Sequence, residues 1–167
     1  MRPVTARIRP ATARDRRAII ALHLASWQSS YGIELPQHVL SDVLPGYLAD
    51  KWTGRTFGAD QVTLVAEVPN GDVAGFVCAL TDRAVPLIDN LHVDPARRGG
   101  GLGKRLLQAV NAALAEQGFR QSELTVLSRN TRAYAFYLAN GGEDEGEEPD
   151  TLVGKAVRVR RIAFALE

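Results

Sequence analysis

The chain reads as a mixed α/β domain. Three observations predict this. A charged amphipathic helix stands near the start, a hairpin of apolar strands follows, and strand and helix then alternate to the end. TARIR (5–9) is a short first strand, stopped by Pro10. Thr12 and Asp15 are spaced as a capping box with Asp in place of Glu, and Ala18, Leu22 and Ala25 follow at helical spacing, so a helix is expected over 13–29. Pro36 permits a second short helix over 36–44, interrupted by Pro45 and Gly46. VTLVAEV (62–68) and VAGFVCAL (73–80) flank Asn70-Gly71 and form the hairpin, and PLIDNLHV (86–93) is a third strand, stopped by Pro95. The strongest helix covers 101–117. Leu102, Leu106, Val110 and Leu114 recur every fourth residue, Leu107 and Ala113 widen the stripe, and Gly118 closes it. SELTVLS (122–128) is a strand, and NTRAYAFYLANGG is a compact helix that Asn130 caps and Gly141 ends. KAVRVRRIAFAL (155–166) is a last strand whose alternation slips at Arg160 and Arg161, where a bulge or twist is expected. GGEDEGEEPD (141–150) reads as a solvated acidic loop or hairpin.

The length of 167 residues fits one domain spanning 1–167, large enough to bury a core without metal or disulfide staples. Twenty Lys and Arg against 19 Asp and Glu leave a net charge of +1, which argues against a nucleic-acid partner. Cys78 is the only cysteine, so neither an internal disulfide nor a cysteine-held zinc is available. It sits in an apolar strand with no base beside it and is read as core. His23 and His38 lack partners at ligand spacing, so no metal is expected. The first twenty residues carry charge throughout, without a signal-peptide core, and no run approaches the roughly 18 apolar residues of a spanning helix. A cytoplasmic setting with no membrane partner is the expectation.

The segment HVDPARRGGGLGKRLLQAV (92–110) carries the chemistry. It joins a strand to a helix through a tight turn and three glycines. Such a junction aims unpaired main-chain N–H groups one way, and the helix dipole adds partial positive charge. Glycine admits a close-approaching anion and a positive φ. Arg97, Arg98, Lys104 and Arg105 add charge. The whole reads as a phosphate or diphosphate cradle. A nucleotide P-loop would need glycine where Arg98 stands and Ser or Thr where Arg105 stands. A dinucleotide fingerprint would need glycine at Lys104 or Leu106. Neither ATP nor NAD fits.

Arg98, Gly101 and Gly103 match a Q/R-x-x-G-x-G/A motif, with LHVDP (91–95) before it and the periodic helix after it. LTVLSRNTRAYAFYLANGG (124–142) supplies a second block, in which a strand, an asparagine and a helix with a Phe-Tyr pair precede glycines. The N-terminal helix and Gly154 before the last strand agree as well. Over nearly its whole length the chain resembles the GNAT superfamily of acyl-CoA-dependent N-acyltransferases. The resemblance implies a central, mostly antiparallel mixed sheet, flanked by helices, with one parallel pair of strands splayed apart and acyl-CoA in the gap. It implies a diphosphate on the backbone of Arg98, Gly99, Gly100, Gly101, Leu102, Gly103 and Lys104. The pantetheine amides would pair with the strand edge at Leu91, His92 and Val93, where a bulge is expected. Asn130 would contact the pantetheine arm, and Tyr137 would stand near the thioester sulfur.

The implied activity is direct acetyl transfer from acetyl-CoA to a primary amine of a small molecule or peptide. Tyr137 matches the general acid, and Phe136 beside it is read as core. Asp89 is a candidate base, though a bulge leaves its facing undecided. His92 is a candidate relay or wall residue. Trp27, Tyr31 and Glu34 are candidates for the acceptor wall, with Asp89. A homodimer is the assembly that the resemblance implies. The alternative reading is an acyl-CoA-binding regulatory protein without turnover.

Overall fold

A computed structural model describes residues 5–30, 35–55 and 57–167. Tyr31 and Glu34 lie outside the described residues. Seven strands form one sheet in the order β1-β2-β3-β4-β5-β7-β6. They are β1 (Arg7–Pro10), β2 (Gln61–Glu67), β3 (Val73–Leu80), β4 (Leu87–Val93), β5 (Gln121–Leu127), β6 (Glu143–Leu152) and β7 (Lys155–Ala165). Every neighbouring pair is antiparallel except β4 and β5. Those two are parallel and register only at Leu87 and Glu123, after which they part. The mixed, mostly antiparallel sheet with a splayed parallel pair is therefore as the resemblance implied.

Alternation along β2 and β3 assigns the two faces. Leu64, Ala66, Val77 and Ala79 face helix α3 (Leu102–Glu116), which buries Leu102, Leu106, Leu107, Val110 and Leu114 against them. Val65, Phe76 and Cys78 face the other way, against Ile19 and Leu22 of α1 (Arg16–Ser30) and Trp52 of α2 (Leu44–Thr53). A third cluster joins α1 to α2 through Trp27, Leu40, Leu44 and Leu48, and the β6–β7 tip lays Leu152 and Val153 on it. Helix α4 (Thr131–Ala139) lies on the α3 side, with Phe136 and Tyr137 against that core.

Two elements differ from the sequence reading. Pro45 does not end a helix. Val39–Val43 forms a π turn in which Leu44 N–H reaches the carbonyl of Val39, and α2 continues through Pro45 near its first position. Proline is tolerated there because the first helical N–H groups have no intrahelical acceptor. Of the loop or hairpin read at 141–150, the structure forms the hairpin, with Glu143–Leu152 as strand β6 against β7. Its carboxylates pair across to β7: Asp144 with Arg160 at 3.0 Å, Glu147 with Arg158 at 2.9 Å and Glu148 with Arg161 at 2.6 Å. The irregularity expected at Arg160 and Arg161 falls on β6 instead, between Asp144 and Glu147, while β7 runs unbroken.

Candidate active site

Helix α3 begins without a capping side chain. Its N-cap is Gly101, at φ +80°, and Arg105 is the first residue to close back, onto Gly101 at 3.2 Å. The N–H groups of Leu102, Gly103 and Lys104 therefore precede the intrahelical ladder. A side-chain cap contributes about 1 kcal/mol. Five buried Leu and Val residues on α3 contribute roughly 10 kcal/mol gross, at about 2 kcal/mol each. The helix holds without a cap, and its mouth stays open to an anion. The start of α4 is different, because Asn130 Oδ1 accepts from Ala133 N–H at 3.2 Å. Asn130 is thus a helix cap that also lines the cleft along β4.

Past Leu87 no residue of β4 registers with β5, so that edge of β4 opens onto a cleft of about 550 Å³. Leu91, His92, Val93, Arg98, Gly99, Gly101, Leu102, Gly103, Lys104, Asn130 and Tyr137 all line it, with Asp89. Gly100 is the one residue of the expected cradle that does not. Gly103 lies where α3 meets α4, and a Cβ there would be in van der Waals contact with Phe136 Cζ at 3.4 Å. Phe136 also lines the cleft, so it is wall as well as core. The Tyr137 ring is edge-on to Phe136 at 5.3 Å and to Phe164 at 6.5 Å.

The bulge falls at Asp89, not at Leu91 to Val93. Cys78 pairs with Asn90 and Ala79 with Ile88, which leaves Asp89 unpaired between them. This resolves its facing. Ile88 packs with the α3 core, whereas Asp89 reaches the α2 side, where Arg55 and Lys51 (3.4 Å) both contact Oδ2. Asn90 Nδ2 donates to the same oxygen at 3.0 Å. Burial raises the affinity of this carboxyl for a proton, but Lys51 and Arg55 together outweigh it and hold Asp89 below the usual carboxylate range. These partners suit a fixed anion better than a proton acceptor. A group whose pKa is depressed on folding adds stability above its unfolded value of 3.8, which is lost as pH falls through the folded value. Asp89→Asn is expected to melt below the wild type at pH 7, with the gap closing only as pH falls below 3.8; melts from neutral pH to below that value check it.

His92 shares its face with Phe76, ring to ring at 5.5 Å, and with His23 at 4.5 Å. Its Nδ1 is 2.8 Å from Ser26 Oγ. Burial first, then Lys51 and Arg98, push the imidazole down to about 3, against a smaller opposing effect of Asp89. His92 is therefore neutral at physiological pH. Taking a proton directly from an alkylammonium near 10.4 would be uphill by roughly 10 kcal/mol. As a neutral imidazole it still serves as hydrogen-bond donor or acceptor. His23 is fully buried, accepts from Trp52 Nε1 at 2.9 Å and is neutral for the same leading reason, desolvation.

Trp27 is 7% exposed, sits in the α1–α2 cluster and is not among the cleft-lining residues. Several lining residues escaped the sequence reading: Ser26 and Ser30 on α1, Arg132 at the start of α4, and Asp150 and Thr151 near the β6–β7 tip. Three serines at 26, 29 and 30 share one helical face, a pattern visible in the sequence. The position of Asp150 depends on strand pairing and was not visible. Among the described residues, no group of His, Cys, Asp and Glu is arranged to hold a metal, and no helix is long and apolar enough to cross a membrane.

A split sheet with an uncapped helix at its opening defines a class, and the comparisons agree with it. The model of the acetyltransferase (GNAT) family matches residues 18–141, and the chain belongs to that family. A thialysine N-ε-acetyltransferase from Bos taurus is 31% identical over 80 residues, 41% of this chain and 47% of that protein. The match thus spans about half the length of that relative. The crystal structure of PaiA N-acetyltransferase from Thermoplasma acidophilum, in complex with coenzyme A, superposes with a TM-score of 0.78 at 18% identity, over 97% of this chain and 99% of that one. The structure of yncA from Salmonella typhimurium, with its cofactor acetyl-CoA, gives 0.68 at 21% identity, over 98% and 95%. At these identities the likeness is one of fold.

Proposed function

We propose that the chain transfers an acetyl group from acetyl-CoA directly to a primary amine of a small molecule or peptide. The observation that carries the reading is the convergence, in one cleft, of the uncapped mouth of α3, the unpaired edge of β4 and the hydroxyl-bearing ring of Tyr137. The N–H groups of Leu102, Gly103 and Lys104 fit a diphosphate, and Arg97, Arg98, Lys104 and Arg132 line the cleft around the starts of α3 and α4. The free edge of β4 fits the two amides of a pantetheine arm, as an added strand would. Bound there, acetyl-CoA supplies a thioester between the splayed strands.

This chain's residues then have three tasks. The first is to receive a neutral amine, whose lone pair forms the new C–N bond. Asp150 carries no cation partner among the described residues, and it is the carboxylate we assign to the incoming ammonium. The ammonium's proton leaves to water, because both His92 and Asp89 are held too acidic to keep it. The second task is to stabilise the negative charge that develops on the carbonyl oxygen, which a main-chain N–H of β4 near Leu91 does. The third is to protonate the departing sulfur as the C–S bond breaks. An ordinary phenol near 10 gives its proton to an ordinary thiolate near 8.5 at small cost, and Tyr137 is the cleft residue for that step. The bovine relative, a thialysine N-ε-acetyltransferase, supports a primary amine as acceptor.

The test is thiol release from acetyl-CoA across amino acids, polyamines, aminoglycosides and peptides. The proposal expects turnover with at least one amine class. Tight coenzyme A binding with no turnover on any of them favours the alternative, an acyl-CoA-binding regulatory protein.

A further inference from the structure

We propose that Ser26 is a positioning residue that couples Arg98, at the mouth of α3, to His92 on the cleft wall, so that a polyanion arriving at that mouth changes which nitrogen of His92 carries the proton. The inference rests on the reading of that mouth as a coenzyme A diphosphate site.

The geometry is a continuous hydrogen-bond chain. Ser26, Ser29 and Ser30 project from one face of the last turns of α1. Arg98 fans over them: Nη2 donates to Ser26 Oγ and to Ser30 Oγ, both at 3.4 Å, and Nη1 donates to Ser29 Oγ at 3.3 Å. Ser26 Oγ in turn stands 2.8 Å from His92 Nδ1. Ser26, Ser30, His92 and Arg98 all line the cleft. The chain therefore runs from the expected phosphate end to the strand beside the reacting carbon, across 72 residues of sequence.

The chemistry follows from counting protons. A serine hydroxyl has one hydrogen to give and two lone pairs to receive with. Ser26 Oγ can meet Nδ1 as donor or acceptor, and the Arg98 cation beside it favours the hydroxyl hydrogen directed at Nδ1, because the bare ring nitrogen then faces the positive charge. A neutral imidazole that accepts at Nδ1 carries its proton on Nε2. In that state His92 offers a donor at Nε2. The contacts of Arg98 to the serines are long beside the 2.7–2.9 Å typical of a guanidinium on an anion. A diphosphate at the mouth of α3 is the stronger partner and draws the guanidinium off. Ser26 Oγ then receives the hydrogen of Nδ1–H, and its own hydrogen turns to the carbonyl one turn back. The imidazole remains neutral, having exchanged one proton site for the other through water. Nε2 now presents a lone pair, which orients the N–H of an incoming amine. His23 does not follow, because Trp52 Nε1 already fixes its Nδ1 as the acceptor.

The test is long-range proton–nitrogen NMR on histidine-labelled protein. The chain has three histidines to assign, and nitrogen shifts separate protonated from bare ring positions. Free protein is expected to show His92 with its proton on Nε2. Saturating coenzyme A is expected to move it to Nδ1, and inorganic pyrophosphate alone to do the same at higher concentration. Ser26→Ala, a change that favours the helix, is expected to bind coenzyme A within about threefold of the wild type by calorimetry yet to show no tautomer response; threefold is under 1 kcal/mol. An unchanged His92 pattern on coenzyme A saturation, or a Ser26→Ala protein that responds like the wild type, overturns the coupling. If calorimetry detects no coenzyme A binding to the wild type, the cofactor reading itself fails and the coupling falls with it.

Discussion

Replacing Gly101 or Gly103 by valine is expected to weaken coenzyme A binding by at least roughly 30-fold, the equivalent of about 2 kcal/mol, in a chain that still folds. The two positions act differently. Gly101 has open space where a Cβ would stand, but its φ of +80° is a left-handed conformation that costs an L-residue roughly 1–2 kcal/mol, and a β-branched one more. Valine there pulls the turn toward negative φ and swings the N–H of Leu102 off the helix axis. Gly103 lies inside the helix, so its cost is steric. A Cβ alone would make ordinary contacts, with Phe136 Cζ at 3.4 Å and Val93 Cγ2 at 3.8 Å, so the clash comes from the γ-carbons of valine, which reach further into the groove between β4, α3 and α4. A hydrogen bond to a charged partner contributes about 1.5–3 kcal/mol, so misdirecting one or two N–H groups accounts for the expected loss. Calorimetry on variants shown by circular dichroism to be folded decides the matter, and an unchanged affinity in either removes the cradle.

Tyr137→Phe is expected to lower kcat by about 100-fold or more, the lower range for a positioned general acid, with coenzyme A affinity nearly unchanged. Phenylalanine keeps the edge-on contacts to Phe136 and Phe164 and removes only the hydroxyl. The split between kcat and affinity separates an acid from a packing residue. A tyrosine that merely fills space would leave kcat intact, and one that mainly grips the cofactor would move affinity first. The measurement is steady-state thiol release at saturating amine, beside direct titration of coenzyme A. Full activity in Tyr137→Phe removes it as the acid.

What was legible in the sequence was local. The stripe of Leu102, Leu106, Val110 and Leu114, the glycines before it and the strands on either side are written in contiguous residues, and they build the end of the cleft proposed to take a diphosphate, whereas the parallel pairing of those strands came only from the resemblance. The choice between loop and hairpin at 141–150 was not legible, because those acidic residues take on strand character only through Arg158, Arg160 and Arg161, 11 to 16 residues further on. Pro45 misled because proline has opposite meanings at the end and at the start of a helix. The facing of Asp89 depended on a bulge that only its pairing with β3 reveals, and its two cations come from α2 and the segment after it. The residues around His92 were out of reach for the same reason. Ser26 lies 66 positions before it, and the two meet only because α1 packs on the face of the sheet that bears Phe76.

The account depends on main-chain amides at the start of α3 holding a diphosphate. A crystal structure of the chain with coenzyme A tests this most directly. The prediction is diphosphate oxygens within hydrogen-bonding distance of the N–H groups of Leu102, Gly103 and Lys104, with the pantetheine arm along β4 between the splayed strands. Coenzyme A bound elsewhere, or a carboxylate of the protein itself seated on those N–H groups, would contradict it.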